Sequence, residues 1–145
     1  MPRKKSLGLI SCTSKKRSEV CVASEMYDVS ALFQKALKYC KKTYNDVAIL
    51  SAEYGLVFLE DELEPYDKTL NDMSVEERKN WAQKVFVKMQ ERLNLSEYEK
   101  VFFHAGKHYN EFLIPKLEAL TINCAIPLEH LRIGEQLNFY ITHDC

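Results

Sequence analysis

Asp61 and His104 have the side chains of a catalytic pair. A carboxylate can serve as general base, or stabilise a cation that develops as an N-glycosidic bond breaks. An imidazole titrates near neutrality and can act as acid or orienter. Asp61 falls within Ser51, Tyr54, Gly55, Asp61, Pro65 and Tyr66, spaced S-x-x-Y-G-x(5)-D-x(3)-P-Y. Tyr54 and Tyr66 offer flat faces on which a base can stack. Gly55 suits a backbone position with positive φ or a close backbone approach, and Pro65 fixes its own φ. Apolar Leu56 to Leu59 would fold this loop back onto the body and carry Asp61 to a defined place. A carboxylate that merely caps a turn in that loop is the alternative.

A second group of candidates follows the first apolar run. Ser11, Thr13 and Ser14 supply hydroxyls, and Lys15, Lys16 and Arg17 supply cations. Such a turn can hold a phosphate or a sugar, helped by backbone N–H groups. The P-loop spacing is absent, and a solvated polar loop is the alternative. Cys12, beside Lys15 and Lys16, reads either as a reactive thiolate or as a small core residue. The small pair Ala105-Gly106 lets the chain turn sharply after His104 into a helix. His104 and His108 have metal-ligand spacing only if they share a helix face, and His104 ends a strand. No metal and no cofactor is implied.

Positioning these residues requires strands alternating with helices. The apolar runs 6–11, 47–50, 101–103 and 123–127 read as strands. Leu32, Phe33, Ala36, Leu37 and Cys40 recur at helical spacing behind Ser30 or Asp28 as cap. Ser74 and Glu77 form a capping box ahead of the stripe Trp81, Val85, Met89 and Leu93. A helix carrying Phe112 and Leu113 is interrupted or restarted at Pro115, and 133–141 reads as a closing helix with Ile133, Leu137, Tyr140 and Ile141 inward. The pattern predicts a single α/β domain with a mainly parallel sheet of about four strands and helices on both faces. Ligands in such sheets bind beyond the strand C-termini. Ser11, Tyr54, Asp61 and His104 are therefore expected to line one cleft there.

A chain of 145 residues suits one core. Its formal charge of −1 argues against a global electrostatic grip on nucleic acid. Five cysteines, without a C-x-x-C pair or an apparent signal peptide, read as free thiols in a cytoplasmic protein. The apolar runs are strand-sized, so no membrane span is expected. Oligomeric state is not legible.

The six-position motif resembles the signature of the YaaA-type bacterial peroxide-stress-resistance proteins. A closer resemblance is to a smaller uncharacterised bacterial family of unknown function. Its members share S-C-(S/T)-x-K-K, a following L/M-Y, S-A-x-Y-G-L and P-Y. Here these are Ser11 to Lys16, Met26-Tyr27, Ser51 to Leu56 and Pro65-Tyr66. The resemblance implies a uracil-DNA-glycosylase-like or Rossmann-like fold and a link to DNA protection or modified-base chemistry. The YaaA-type proteins are longer, and their added helical DNA-binding element has no counterpart here.

Two functions follow. One is binding of a nucleobase or nucleotide, or N-glycosidic chemistry upon it. Asp61 and His104 would be catalytic, with Ser11, Thr13, Ser14, Lys15, Ser51, Tyr54, Gly55, Tyr66 and Gly106 around the ligand. The other is a non-catalytic, DNA-associated stress-response module, whose nucleic-acid binding would be salt-sensitive.

Overall fold

A computed structural model describes residues 5–13 and 15–143. Ser14 and Cys145 lie outside the described residues. The chain begins with β1 (Lys5–Ser11), β2 (Cys21–Val22), α1 (Ala23–Met26) and α2 (Ala31–Thr43). It continues through β3 (Asp46–Ser51), β4 (Gly55–Phe58), β5 (Glu62–Leu63) and α3 (Val75–Arg92). β6 (Tyr98–His104), α4 (Lys107–Asn110), α5 (Ile114–Glu118), β7 (Asn123–Ala125) and α6 (Ile133–Thr142) complete it.

The main sheet has five strands in the order β4-β3-β1-β6-β7. β1 runs parallel to β3 and β6, and β6 runs parallel to β7. Leu7, Gly8, Leu9 and Ile10 are all buried, as expected of a central strand covered on both faces. The architecture is thus mixed α/β with a mostly parallel sheet. The additional strand is β4, which pairs antiparallel with β3 and replaces the expected loop. Gly55 at φ 73° opens this strand, and Leu56 and Val57 bury their side chains there. β2 and β5 form a separate two-stranded antiparallel ribbon.

The order of the sheet creates a reversal. From β1 the chain moves to β3 on one side, then crosses back to β6 on the other. Beyond the C-terminal ends of β1 and β6 lies the crevice where open α/β sheets take ligands. α2 lines this crevice, whereas α3 packs on β4 away from it. Ser30 Oγ accepts from the Phe33 N–H and caps α2, whose Tyr39 packs on Phe139 and Tyr140 of α6. α3 opens with the complete Ser74/Glu77 capping box and buries Trp81, Ala82, Val85 and Met89.

Two expectations about helices change. The segment after Gly106 forms two one-turn helices, and the second restarts at Pro115 as expected, although Phe112 and Leu113 fall between the two. Pro115 sits in the first turn of α5, where its missing N–H costs nothing. In α6, Tyr140 is buried, but Ile133 is 71% exposed and Ile141 51%. The aromatic contacts of Phe139 and Tyr140 with Tyr39 set the helix rotation and turn Ile133 and Ile141 outward.

Candidate functional site

A cavity of about 520 Å³ opens at the ends of β1, β6 and β7. Phe33, Ala36, Phe103, Ile126 and Leu128 supply much of its apolar wall. Ser11, Thr13, His104 and Asn110 add polar groups, and Gly106 contributes bare backbone. The exposed Lys107 and Glu129 also border it. Glu111, another wall residue, is bound by the Arg78 guanidinium at 3.2 Å.

His104 closes β6 and is 9% exposed. Its Nε2 lies 2.7 Å from the Tyr44 hydroxyl, and its Nδ1 lies 2.7 Å from the Tyr140 hydroxyl. In a neutral imidazole one nitrogen accepts and the other donates, and a hydroxyl can answer either. Burial pushes the imidazole pKa down to about 4. It also pushes both tyrosine hydroxyls well above their ordinary range. The trio is therefore neutral at neutral pH. Tyr44 in turn stacks on Phe102 with centroids 4.6 Å apart.

Asn110 ends α4 and is 3% exposed. Its Nδ2 donates to the Ala105 carbonyl at 2.8 Å. Its Oδ1 meets no hydrogen-bond donor among the described residues.

A different group surrounds Cys12, which alternates along the chain with the cavity-lining Ser11 and Thr13. Cys12 Sγ lies 3.1 Å from the Tyr109 hydroxyl and 3.4 Å from the Ala52 N–H that donates to it. Ser51 Oγ donates to the Tyr66 hydroxyl at 2.9 Å, which lies 2.7 Å from the Tyr27 hydroxyl. Lys16 Nζ sits 4.4 Å from the centre of the Tyr66 ring. Burial raises the Tyr27 pKa to about 12 and pushes Tyr66 and Tyr109 up as well. These tyrosines are uncharged donors and acceptors in a packed network.

The stretch 51–66 has local structural tasks. Ser51 Oγ accepts from the Tyr54 N–H at 3.0 Å, pinning the turn between β3 and β4. The Trp81 indole N–H donates to the Ser51 carbonyl at 2.9 Å. The Tyr54 hydroxyl exchanges hydrogen bonds with the Glu64 backbone. Asp61 Oδ2 accepts from the Phe58 N–H at 2.8 Å and from Arg92 Nη1 at 2.8 Å. The Arg92 hydrogen bond, with the Phe58 N–H behind it, holds the Asp61 carboxyl below its ordinary pKa.

The expected single cleft thus divides. Ser11, Thr13, His104 and Gly106 share the cavity. Tyr54 and Gly55 line a second hollow of about 310 Å³, with Lys68, Lys84 and Lys88. Ser51 and Tyr66 belong to the hydroxyl network, while Asp61 lines neither space. Lys15 is exposed, and its carbonyl accepts from Thr13 Oγ1 at 2.8 Å. Arg17, a cation of the same turn, is paired with Asp28. Sequence reasoning missed Tyr44, Asn110 and Tyr140 as site residues. Tyr140 read as an ordinary inward residue of the closing helix, and Tyr44 and Asn110 carry no motif.

Among the described residues, Cys12, Cys21, Cys40 and Cys124 are free thiols. Among the described residues no helix is long and apolar enough to cross a membrane. Comparison with curated proteins and with solved structures finds no match. The chain matches a family of unknown function, DUF6884, over residues 7–142, and it belongs to that family.

Proposed function

We propose that this protein is a small-molecule-binding domain whose ligand carries a nucleobase-like ring. The observation that carries this reading is the cavity at the sheet's reversal point. Its volume of about 520 Å³ falls in the range of small-molecule sites, and its apolar walls with a few fixed polar groups have their composition. A flat heterocycle suits such walls, with its polar edge toward Ser11 and Thr13. A sugar or phosphate would extend toward Lys107 at the cavity's border. The uracil-DNA-glycosylase-like or Rossmann-like kinship is part of the same proposal.

Binding, rather than N-glycosidic cleavage by Asp61 and His104, is the reading the geometry favours. Cleavage asks for a free acid or carboxylate facing the ring. Asp61 is engaged by Arg92 and Phe58 away from the cavity lining. His104 has both nitrogens occupied by tyrosine hydroxyls. We assign Asp61 to the fold and His104 to the shape and polarity of the cavity.

The test is a thermal-shift screen of nucleobases, nucleosides and nucleotides, followed by calorimetry on the hits. A ligand that binds only the folded state raises the melting temperature in a concentration-dependent way. Gly106→Phe is the control variant. A Cβ at Gly106 meets no atom within 4 Å, and the backbone φ of −73° is ordinary for any residue. The variant should keep its fold and lose at least tenfold in affinity, about 1.4 kcal/mol. No stabilisation by any member of the panel, or unchanged binding by Gly106→Phe, would sink the proposal.

A further inference from the structure

We propose that the hollow beside Tyr54 is a second binding site, which takes a compact phosphate-bearing anion on Lys84 and Lys88. The inference does not rest on the ligand of the larger cavity. Tyr54, Lys84 and Lys88 line the hollow, and none of them lines the cavity. The first support is where the ammonium groups stand. Lys88 Nζ donates to the Tyr54 carbonyl at 3.2 Å, and Lys68 Nζ lies 4.0 Å from Glu53 Oε2. Tyr54 and Glu53 are themselves wall residues, so each contact holds a cation at the hollow.

The second support is the charge left over. Glu53 and Glu77 are the carboxylates of the wall, and both are engaged. Glu53 faces Lys68, and Glu77 Oε1 accepts from the Ser74 N–H at 2.9 Å in the capping box of α3. Lys84 has no hydrogen bond or ion pair among the described residues. Lys88 meets a neutral carbonyl, and its ammonium keeps further donors. Lys84 and Lys88 stand one turn apart on α3, so their like charges repel. An anion seated between them relieves that repulsion, and a concave wall concentrates the field of charges of one sign. Ammonium groups bind phosphate as point charges. A hollow of about 310 Å³ has room for a small phosphorylated molecule. The chain's formal charge of −1 argues against a nucleic-acid backbone as the occupant.

The experiment titrates inorganic diphosphate into the full chain by calorimetry at low ionic strength. The wild-type protein should bind it saturably, with affinity falling as salt is added. Lys84→Ala should weaken binding about fivefold or more. Alanine suits an exposed helix position, so this variant keeps its fold. Lys84→Arg restores the charge and should bind within about twofold of wild type. Lys88→Gln is the second site variant and should weaken binding as Lys84→Ala does. Lys79→Ala removes the same charge from α3 outside the hollow and should bind normally. Gly106→Phe, which obstructs the larger cavity, should bind normally too. No saturable binding overturns the site. Equal loss in Lys84→Ala and Lys79→Ala overturns it as well, because overall charge would then account for the affinity. Loss in Gly106→Phe with none in Lys84→Ala would move the anion to the cavity and overturn the assignment to the hollow.

Discussion

His104 is the residue through which three elements meet. It ends β6, its Nε2 reaches Tyr44 just past α2, and its Nδ1 reaches Tyr140 on α6. Gly8 makes room for this arrangement, since a Cβ there would lie 2.5 Å from the Tyr44 ring. The expected acid of a catalytic pair is instead a neutral imidazole clamped between hydroxyls. Its pKa is lowered to about 4 by burial, against about 6.5 in an unfolded chain. The stabilising contribution of the neutral form is therefore fully present above about pH 6.5. It is lost as pH falls from there to about 4, with an order of magnitude of about 3 kcal/mol. An NMR titration of the His104 ring should show a midpoint near 4. Denaturant melts should show stability declining across the same window, in addition to any carboxylate effects. A midpoint near 6.5 would show that the ring is not buried between the tyrosines.

Asp61 belongs to the scale of the hairpin. β4 turns back from β3 through Gly55, and the chain leaves β4 through a turn that Asp61 caps at the Phe58 N–H. Arg92, the last residue of α3, bonds both carboxylate oxygens and lies 4.2 Å over the Phe58 ring. One carboxylate thus fastens the end of a strand to the end of a helix. Asp61→Ala should destabilise the protein by about 1–2 kcal/mol, the usual cost of a lost cap, with a small addition from a partly exposed ion pair. Ligand affinity should stay unchanged. An Asp61→Ala protein with wild-type stability and no ligand binding would instead make Asp61 a site residue.

The same hairpin shows where sequence patterns were informative. The run Leu7–Ile10 reads as a buried strand because every residue in it is buried on one face or the other. The Ser74 box and the Trp81, Val85 and Met89 stripe follow from local chemistry, and α3 has both. Gly55 signalled a positive φ, and φ is 73°. The strand after it was not legible, because Leu56 to Phe58 are too few for a period to distinguish a strand from a packed loop. The rotation of α6 was hidden for a related reason. Ile133, Leu137, Tyr140 and Ile141 form a plausible stripe, and only the position of Tyr39 on another helix selects a different edge.

Across the molecule, sheet order determines which residues can meet. The reversal between β1 and β6 gathers Ser11, Thr13, residues 103–107, Ile126 and Leu128 around one cavity, although they lie far apart in the chain. The rule for ligands at strand C-termini anticipated the Ser11 and His104 regions as neighbours. It could not separate them from Tyr54, because β3 ends at the same edge but its turn is absorbed by the β4 hairpin and α3. Nor could it anticipate the cavity's apolar wall from α2 or the Tyr140 hydroxyl from α6, which depend on helix packing. The cavity as a ligand site is tested most directly by backbone amide and imidazole shift mapping by NMR, with the strongest ligand from the nucleoside panel. Perturbations concentrated at Ser11, Thr13, His104, Gly106 and Asn110, and saturating with ligand, are the predicted result. Perturbations confined to the hollow around Tyr54, Lys84 and Lys88, or none that saturate, would contradict it.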